Sequence, residues 1–286
     1  MNDFMIRFSV FCIFAFITLM CANAQMPLLK VEVGDSVLTS LIKKNARIEI
    51  GAFNGKNAVD PYEYADRVSV REIIIAEGIE KIGEYAFLGC TALEKITLPS
   101  SLREIGEGAF RDCASLTSLL IPESVSIIPR YMCAWDNALE YVELPSSIVD
   151  IGSHAFAYCD RLENIDLPVS VTHVGSNAFS FCSALEEVTL PDAITELESY
   201  AFSDCVSLKR ITFPANPSML GELILAGCTS IEEARCMSPE PPTFDCNSFL
   251  FDPSEIYLYK QCSLIVPQQS RALYGNAHCW QLFFKK

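Results

Sequence analysis

Thirteen cysteines and three histidines stand in a chain of 286 residues, and their spacing decides what chemistry they could do. Cys90, Cys113, Cys159, Cys182, Cys205 and Cys228 lie at multiples of 23 residues. No two cysteines beyond residue 24 form a CxxC pair, so neither a zinc knuckle nor a dithiol redox centre is indicated. The regular set reads as a ladder of buried structural thiols, because side chains projecting in parallel from successive repeats are poorly placed for disulfides. Cys236, Cys246, Cys262 and Cys279 are the better disulfide candidates, with no pairing that spacing can choose. His154, His173 and His278 are far apart in sequence and belong to no His-Glu-x-x-His pair. There is no nucleophile elbow, Gly-rich phosphate loop or calcium loop, and the carboxylates are spread through positions that face solvent. The expectation is therefore a protein that binds without catalysing, with no metal and no cofactor.

Two other sets of residues could bind a ligand. Just before the cysteine position stand Gly89, Asp112, Asp204 and Gly227 near the ends, but Trp135, Tyr158 and Phe181 in three consecutive repeats. At a coil spacing of about 4.8 Å the outer two rings are roughly 10 Å apart, a stripe that could hold a sugar pair or a short peptide, or that merely packs. The second set comprises the outward residues of short strands: Lys95 and Thr97, Ser118 and Leu120, Tyr141 and Glu143, Asn164 and Asp166, Glu187 and Thr189, Arg210 and Thr212. Tyr141 beside Leu120 is the best anchor by residue type.

The elements that must position these residues come from a repeat. Pro99, Pro122, Pro145, Pro168, Pro191 and Pro214 follow one another at intervals of 23, each after an alternation such as Ile96-Thr97-Leu98. The period of two marks a strand with one buried face, and the proline ends it for want of an N–H. Leu93, Leu116, Leu139, Leu162, Leu185 and Leu208 form one further column, and Phe87, Phe110, Phe156, Phe179 and Phe202 another. Ala109, Phe110 and Cys113 are spaced to share one side of a helical turn, and Gly106, Gly152 and Gly175 fall where a tight turn is expected. One repeat cannot bury these faces alone, whereas stacked coils can. The coil after Ile121 departs from its neighbours, with Pro129 for glycine, Cys133 for phenylalanine and Asp136 for cysteine, and is expected to be locally reshaped.

The pattern Ala-Phe-x-x-Cys-x-x-Leu-x-x-Ile-x-Leu-Pro, as in Ala109 to Pro122, resembles the BspA-like branch of bacterial leucine-rich repeats. That resemblance implies a right-handed α/β-type coil stack with short strands on its concave face and a cap at each end. The division reads as a signal peptide over 1–24, a leading cap over 25–69, about seven coils over 70–233 and a closing cap over 234–286. The tail motifs Pro241-Pro242, Leu264-Ile265-Val266-Pro267, Tyr274 and Trp280 also resemble the family's closing segment.

The signal reading rests on Arg7, the apolar run Phe8 to Cys21 and the small-residue site Ala22-Asn23-Ala24. It implies export to the periplasm, the cell surface or the medium, with no transmembrane span in the mature chain. With 36 acidic residues against 21 basic ones, a net charge of −15 and no basic run longer than a pair, nucleic acid and anionic membranes are poor partners. The resemblance implies adhesion or protein–protein interaction, with a matrix or surface protein as partner. The alternative is a glycan-binding or periplasmic scaffold role through the aromatic stripe.

Overall fold

A computed structural model of the chain describes residues 28–32, 47–51, 56–243 and 250–285. The proposed signal peptide and Cys246 lie outside the described residues. The chain winds into a solenoid of about eight turns in which, among the described residues, every strand pairing is parallel. The first strands of the coils are β1 (Leu28–Glu32), β2 (Arg47–Gly51), β4 (Glu72–Ile75), β6 (Lys95–Thr97), β8 (Ser118–Leu120), β10 (Tyr141–Glu143), β13 (Glu187–Thr189), β15 (Arg210–Phe213), β17 (Glu233–Cys236) and β18 (Ser263–Ile265). The second, two residues long each, are β3 (Ala58–Val59), β5 (Lys81–Ile82), β7 (Glu104–Ile105), β9 (Ile127–Ile128), β11 (Asp150–Ile151), β12 (His173–Val174), β14 (Glu196–Leu197) and β16 (Met219–Leu220).

Register follows the repeat: Lys81 pairs with Glu104, Glu187 with Arg210, and Asp150 with His173, each 23 residues on. Identical columns are therefore stacked. Phe87 lies on Phe110 at 5.7 Å between ring centroids, Phe156 on Phe179 at 5.4 Å, and Phe179 on Phe202 at 5.2 Å. The inward residues of both strand ladders, with the leucine and cysteine columns, are almost wholly excluded from solvent. Burying a side chain of this size contributes about 1.5–3 kcal/mol, so the stack rather than any one coil supplies the stability.

The third side of each coil is not a helical turn. It is a run of successive β-turns whose alternate N–H groups reach the next coil, as Tyr85, Phe87 and Gly89 do to the carbonyls of Glu107, Ala109 and Arg111. Helix is confined, among the described residues, to the tail: the short α1 (Leu258–Gln261) and α2 (Arg271–Asn276) with three single turns of 3-10 helix. The turn ladder needs two left-handed residues per coil, four apart, such as Tyr131 at φ 57° and Trp135 at φ 68°. The Ala-Phe-x-x-Cys spacing suits either geometry, and hydrogen bonding between coils decides it.

The glycines also act differently from the expectation. Gly106, Gly152 and Gly175 do not have positive φ. A Cβ on them would lie 2.5, 2.7 and 2.6 Å from backbone nitrogens of the preceding coil, so they permit close approach of two chains.

Nor is the coil after Ile121 reshaped. Gly108, Phe110 and Asp112 donate to Arg130, Met132 and Ala134, and Tyr131, Cys133 and Trp135 donate onward to Ser153, Ala155 and Ala157. Cys133 is smaller than the phenylalanine it replaces, but Met132 fills the neighbouring alanine position, and both are fully buried.

The ladder also runs into the segment assigned to the leading cap: Ile48 pairs with Ile73, Val59 with Ile82, and Tyr64 stacks on Phe87 at 5.6 Å. At the far end β18 extends the last sheet. Trp280 lies edge-on to Phe213 at 6.0 Å and donates its indole N–H to the Pro242 carbonyl at 2.9 Å.

If glycine serves close approach, Gly106→Ala and Gly152→Ala will each lose about 1–3 kcal/mol in urea unfolding. Gly275→Ala, inside α2 with nothing near its Cβ, will instead be neutral or gain up to about 1 kcal/mol.

Candidate functional site

The thiol column is sealed. Cys90, Cys113, Cys159, Cys182, Cys205 and Cys228 are wholly buried as free thiols. Each donates its S–H to a carbonyl 26 residues earlier, as Cys182 does to Phe156 and Cys205 to Phe179, both at 3.2 Å. Burial pushes the thiols of Cys90 and Cys205 up to about 12 and those of Cys113, Cys159, Cys182 and Cys228 well above the usual value. No thiolate nucleophile is available from this column. In the tail Cys236, Cys262 and Cys279 are also free and buried; Cys236 accepts from the Tyr274 hydroxyl at 3.2 Å, and Cys279 faces that of Tyr259 at 3.3 Å.

Asp136 takes the thiol's place in the odd coil and is fully buried. Its Oδ1 accepts the Cys113 N–H at 2.7 Å, while Oδ2 has no partner. Burial raises its pKa well above the carboxylate range, against the opposing pull of the Cys113 N–H and the Cys133 thiol. Burial thus favours the neutral form of Asp136 over the carboxylate. A group whose folded pKa is raised contributes stability below its unfolded pKa and loses it as pH rises towards the folded value. Relative to Asp136→Cys, the protein will lose about 1.4 kcal/mol per pH unit above pH ~4 until the buried acid ionises, measured by urea unfolding across pH. Parallel profiles for the two chains would show that Asp136 is charged in the fold.

Trp135, Tyr158 and Phe181 come together. Trp135 lies on Tyr158 at 5.2 Å and Tyr158 on Phe181 at 4.3 Å, within 9° and 5° of parallel. Arg111 covers Trp135 from the other side at 4.5 Å, and Tyr131 joins the cluster, stacked on His154 at 4.7 Å. Tyr158 thus has both faces covered, and so has Trp135, so these rings offer mainly their edges. Tyr131 and Arg111 were not singled out from sequence, and His154 was weighed there only as a possible member of a histidine motif. Tyr131 and His154 share a second left-handed column, visible only once the turn ladder is known.

His154 is half-buried, and burial and then Arg130 lower its pKa. His173 bridges coils, with Nδ1 2.8 Å from Asp150 and Nε2 3.1 Å from Glu198. Burial works against its charged form, but the two carboxylates outweigh that and hold its pKa above the usual value. Among the described residues no group of His, Cys, Asp and Glu is arranged to hold a metal ion.

The outward strand residues form one face. Lys95, Thr97, Leu120, Tyr141, Glu143, Asn164, Asp166, Glu187, Thr189 and Arg210 are exposed, and Ser118 and Thr212 half-buried. Tyr141 is paired with Ser118 and Leu120 with Glu143, so the two apolar side chains are diagonal neighbours rather than directly abreast. Arg210 is held by Glu187 at 2.6 Å.

Among the described residues the first-strand ladder falls into three sections, broken between β6 and β8 and again after β10, where Asn164 to Asp166 keep one bridge to Glu187. A depression of about 650 Å³ at the first break is lined by Leu98, Leu120, Pro122, Glu143 and Pro145. One of about 390 Å³ at the second is lined by Asn164, Asp166, Val169, Glu187 and Pro191.

The BspA type leucine-rich-repeat region model matches in six copies, over residues 57–148 and 127–249. The chain belongs to the BspA-type leucine-rich-repeat family. No protein of curated function matches it. Among solved structures this BspA-type chain is similar to the leucine-rich-repeat protein of T. pallidum, at 26% identity over 65% of this chain and 78% of that one, with a TM-score of 0.46. A leucine-rich-repeat protein of Bacteroides ovatus is 20% identical over 84% and 74%, also at 0.46. A leucine-rich cell surface protein of Faecalibacterium prausnitzii is 19% identical over 90% and 87%, at 0.41. Membership of the BspA-type family supports a protein-binding or surface role.

Proposed function

We propose that this BspA-type chain is an exported protein that attaches to a protein partner, such as a matrix or cell-surface protein, through the outward residues of its first strands, and catalyses nothing. The observation that carries the reading is the contrast between core and face. The inward columns repeat almost unchanged from coil to coil, while the outward ones run Lys, Ser, Tyr, Asn, Glu, Arg at one position and Thr, Leu, Glu, Asp, Thr, Thr at the next. A face that differs in every coil suits an irregular protein surface better than a repetitive polymer. Leu120 and Tyr141, each more than half exposed, add the apolar contact on which interface energy concentrates.

The aromatic stack supports this over the glycan alternative, since Trp135 and Tyr158 have their ring planes against each other and against Arg111 and Phe181, rather than free for a sugar.

The purified protein, applied to one array carrying extracellular matrix proteins and glycans, is expected to give a protein signal. Tyr141→Ala combined with Leu120→Asp will lower that signal by about tenfold or more, while Trp135→Ala leaves it in place. A glycan signal abolished by Trp135→Ala would overturn the proposal.

A further inference from the structure

The first-strand face changes character along its length. Near its ends acids are matched by bases one coil away: Arg47 with Glu72, Arg71 with Glu94, Lys209 with Glu186 and Arg210 with Glu187. Between residues 117 and 185 the sequence holds eight carboxylates and two arginines. Asp136 is buried, Asp150 is engaged by His173, and Arg161 reaches Glu140 at 3.6 Å. Glu143, Glu163 and Asp166 remain exposed, with no ion pair among the described residues. The same stretch carries the exposed apolar side chains Leu120 and Tyr141, with Val169 beyond the strand at 84% exposure, and both depressions open on it.

The two depressions are about two and a half coils apart, which at a coil spacing of about 4.8 Å is roughly 12 Å, or three to four residues of extended chain. An occupant must therefore present an apolar group and, a few residues on, positive charge. Resting on the reading of this face as the protein-binding one, we infer that the stretch from Ser118 to Thr189 seats an extended segment of the partner that carries lysine or arginine. One apolar side chain enters the depression around Leu120, and the cations lie against Glu143 and Asp166. Charge complementarity of this kind sets the approach rate and excludes acidic segments more than it adds contact energy. It also makes binding weaken with salt, because these carboxylates are exposed.

The probes are two fluorescein-labelled extended peptides of about nine residues, alike in one leucine and a polar background, differing only in lysines or glutamates placed three to four residues beyond it. Fluorescence polarisation with the full chain is expected to show the lysine peptide binding and the glutamate peptide not. Affinity will fall by about tenfold or more in Glu143→Lys/Asp166→Lys and in Leu120→Asp, and fall again as salt rises to about 0.15 M. A matched reversal on the turn side, Glu84→Lys/Glu222→Lys, will change it far less. All of these sites are exposed, and thermal melts confirm that each variant folds. Failure of the lysine peptide to bind, equal binding of the glutamate peptide, or equal loss in the turn-side reversal would overturn the inference. The array separates this from failure of the broader reading. A captured protein lost in Tyr141→Ala/Leu120→Asp but kept in Glu143→Lys/Asp166→Lys leaves the face correct and the basic segment wrong. An array that captures nothing removes the broader reading, while the peptides still decide this one.

Discussion

Parallel hydrogen bonding from each coil to the equivalent position of the next governs this molecule. Because the register through the central coils is a constant 23 residues, each side chain there meets its own counterpart at about strand spacing. A residue type is tolerated in a column only if it is compatible with itself there. Phenylalanine stacks on phenylalanine, and a thiol can receive an N–H and give its S–H to a carbonyl. Glycine admits the neighbouring backbone where a Cβ on Gly106 would stand 2.5 Å from a nitrogen. Asp136 obeys the same rule in its neutral form, since an ionised carboxylate with an unpartnered oxygen would be far costlier in that dry column than a protonated one.

The constraint binds the interior and leaves the exterior free. Outward side chains on successive strands touch only loosely, and their ion pairs, such as Arg71 with Glu94, are exposed and individually contribute little. The turn side is intermediate: left-handed backbone at Trp135, Tyr158 and Phe181 is an unusual placement for large side chains, offset here by the stacking that the same backbone enforces.

The parts of the fold that repeat were legible in the sequence. The proline, leucine, phenylalanine and cysteine columns announced stacked coils, and the period of two marked which strand residues face out. The turn ladder was not legible, because Ala109, Phe110 and Cys113 would also share one side of a helix, and because its left-handed positions hold Tyr131, His154 and Trp135 rather than glycine or asparagine alone. The coil before residue 70 was hidden by a two-residue excess, Ile48 pairing with Ile73 at an offset of 25, and by Tyr64 in the phenylalanine place. For the candidate site, the outward residues could be named from alternation alone. The breaks in the strand ladder could not, since Asn164-Ile165-Asp166 keeps the alternation and retains only a single bridge.

The sealed thiol column has a consequence for how the stack can be observed. Six sulfurs, one per coil except where Asp136 takes the thiol's place, are all fully buried with burial holding them as thiols, so an alkylating reagent meets none of them until neighbouring coils part. Each cysteine is then a clock for its own locality, and the rates at which Cys90 through Cys228 are labelled would chart where the coil stack breathes.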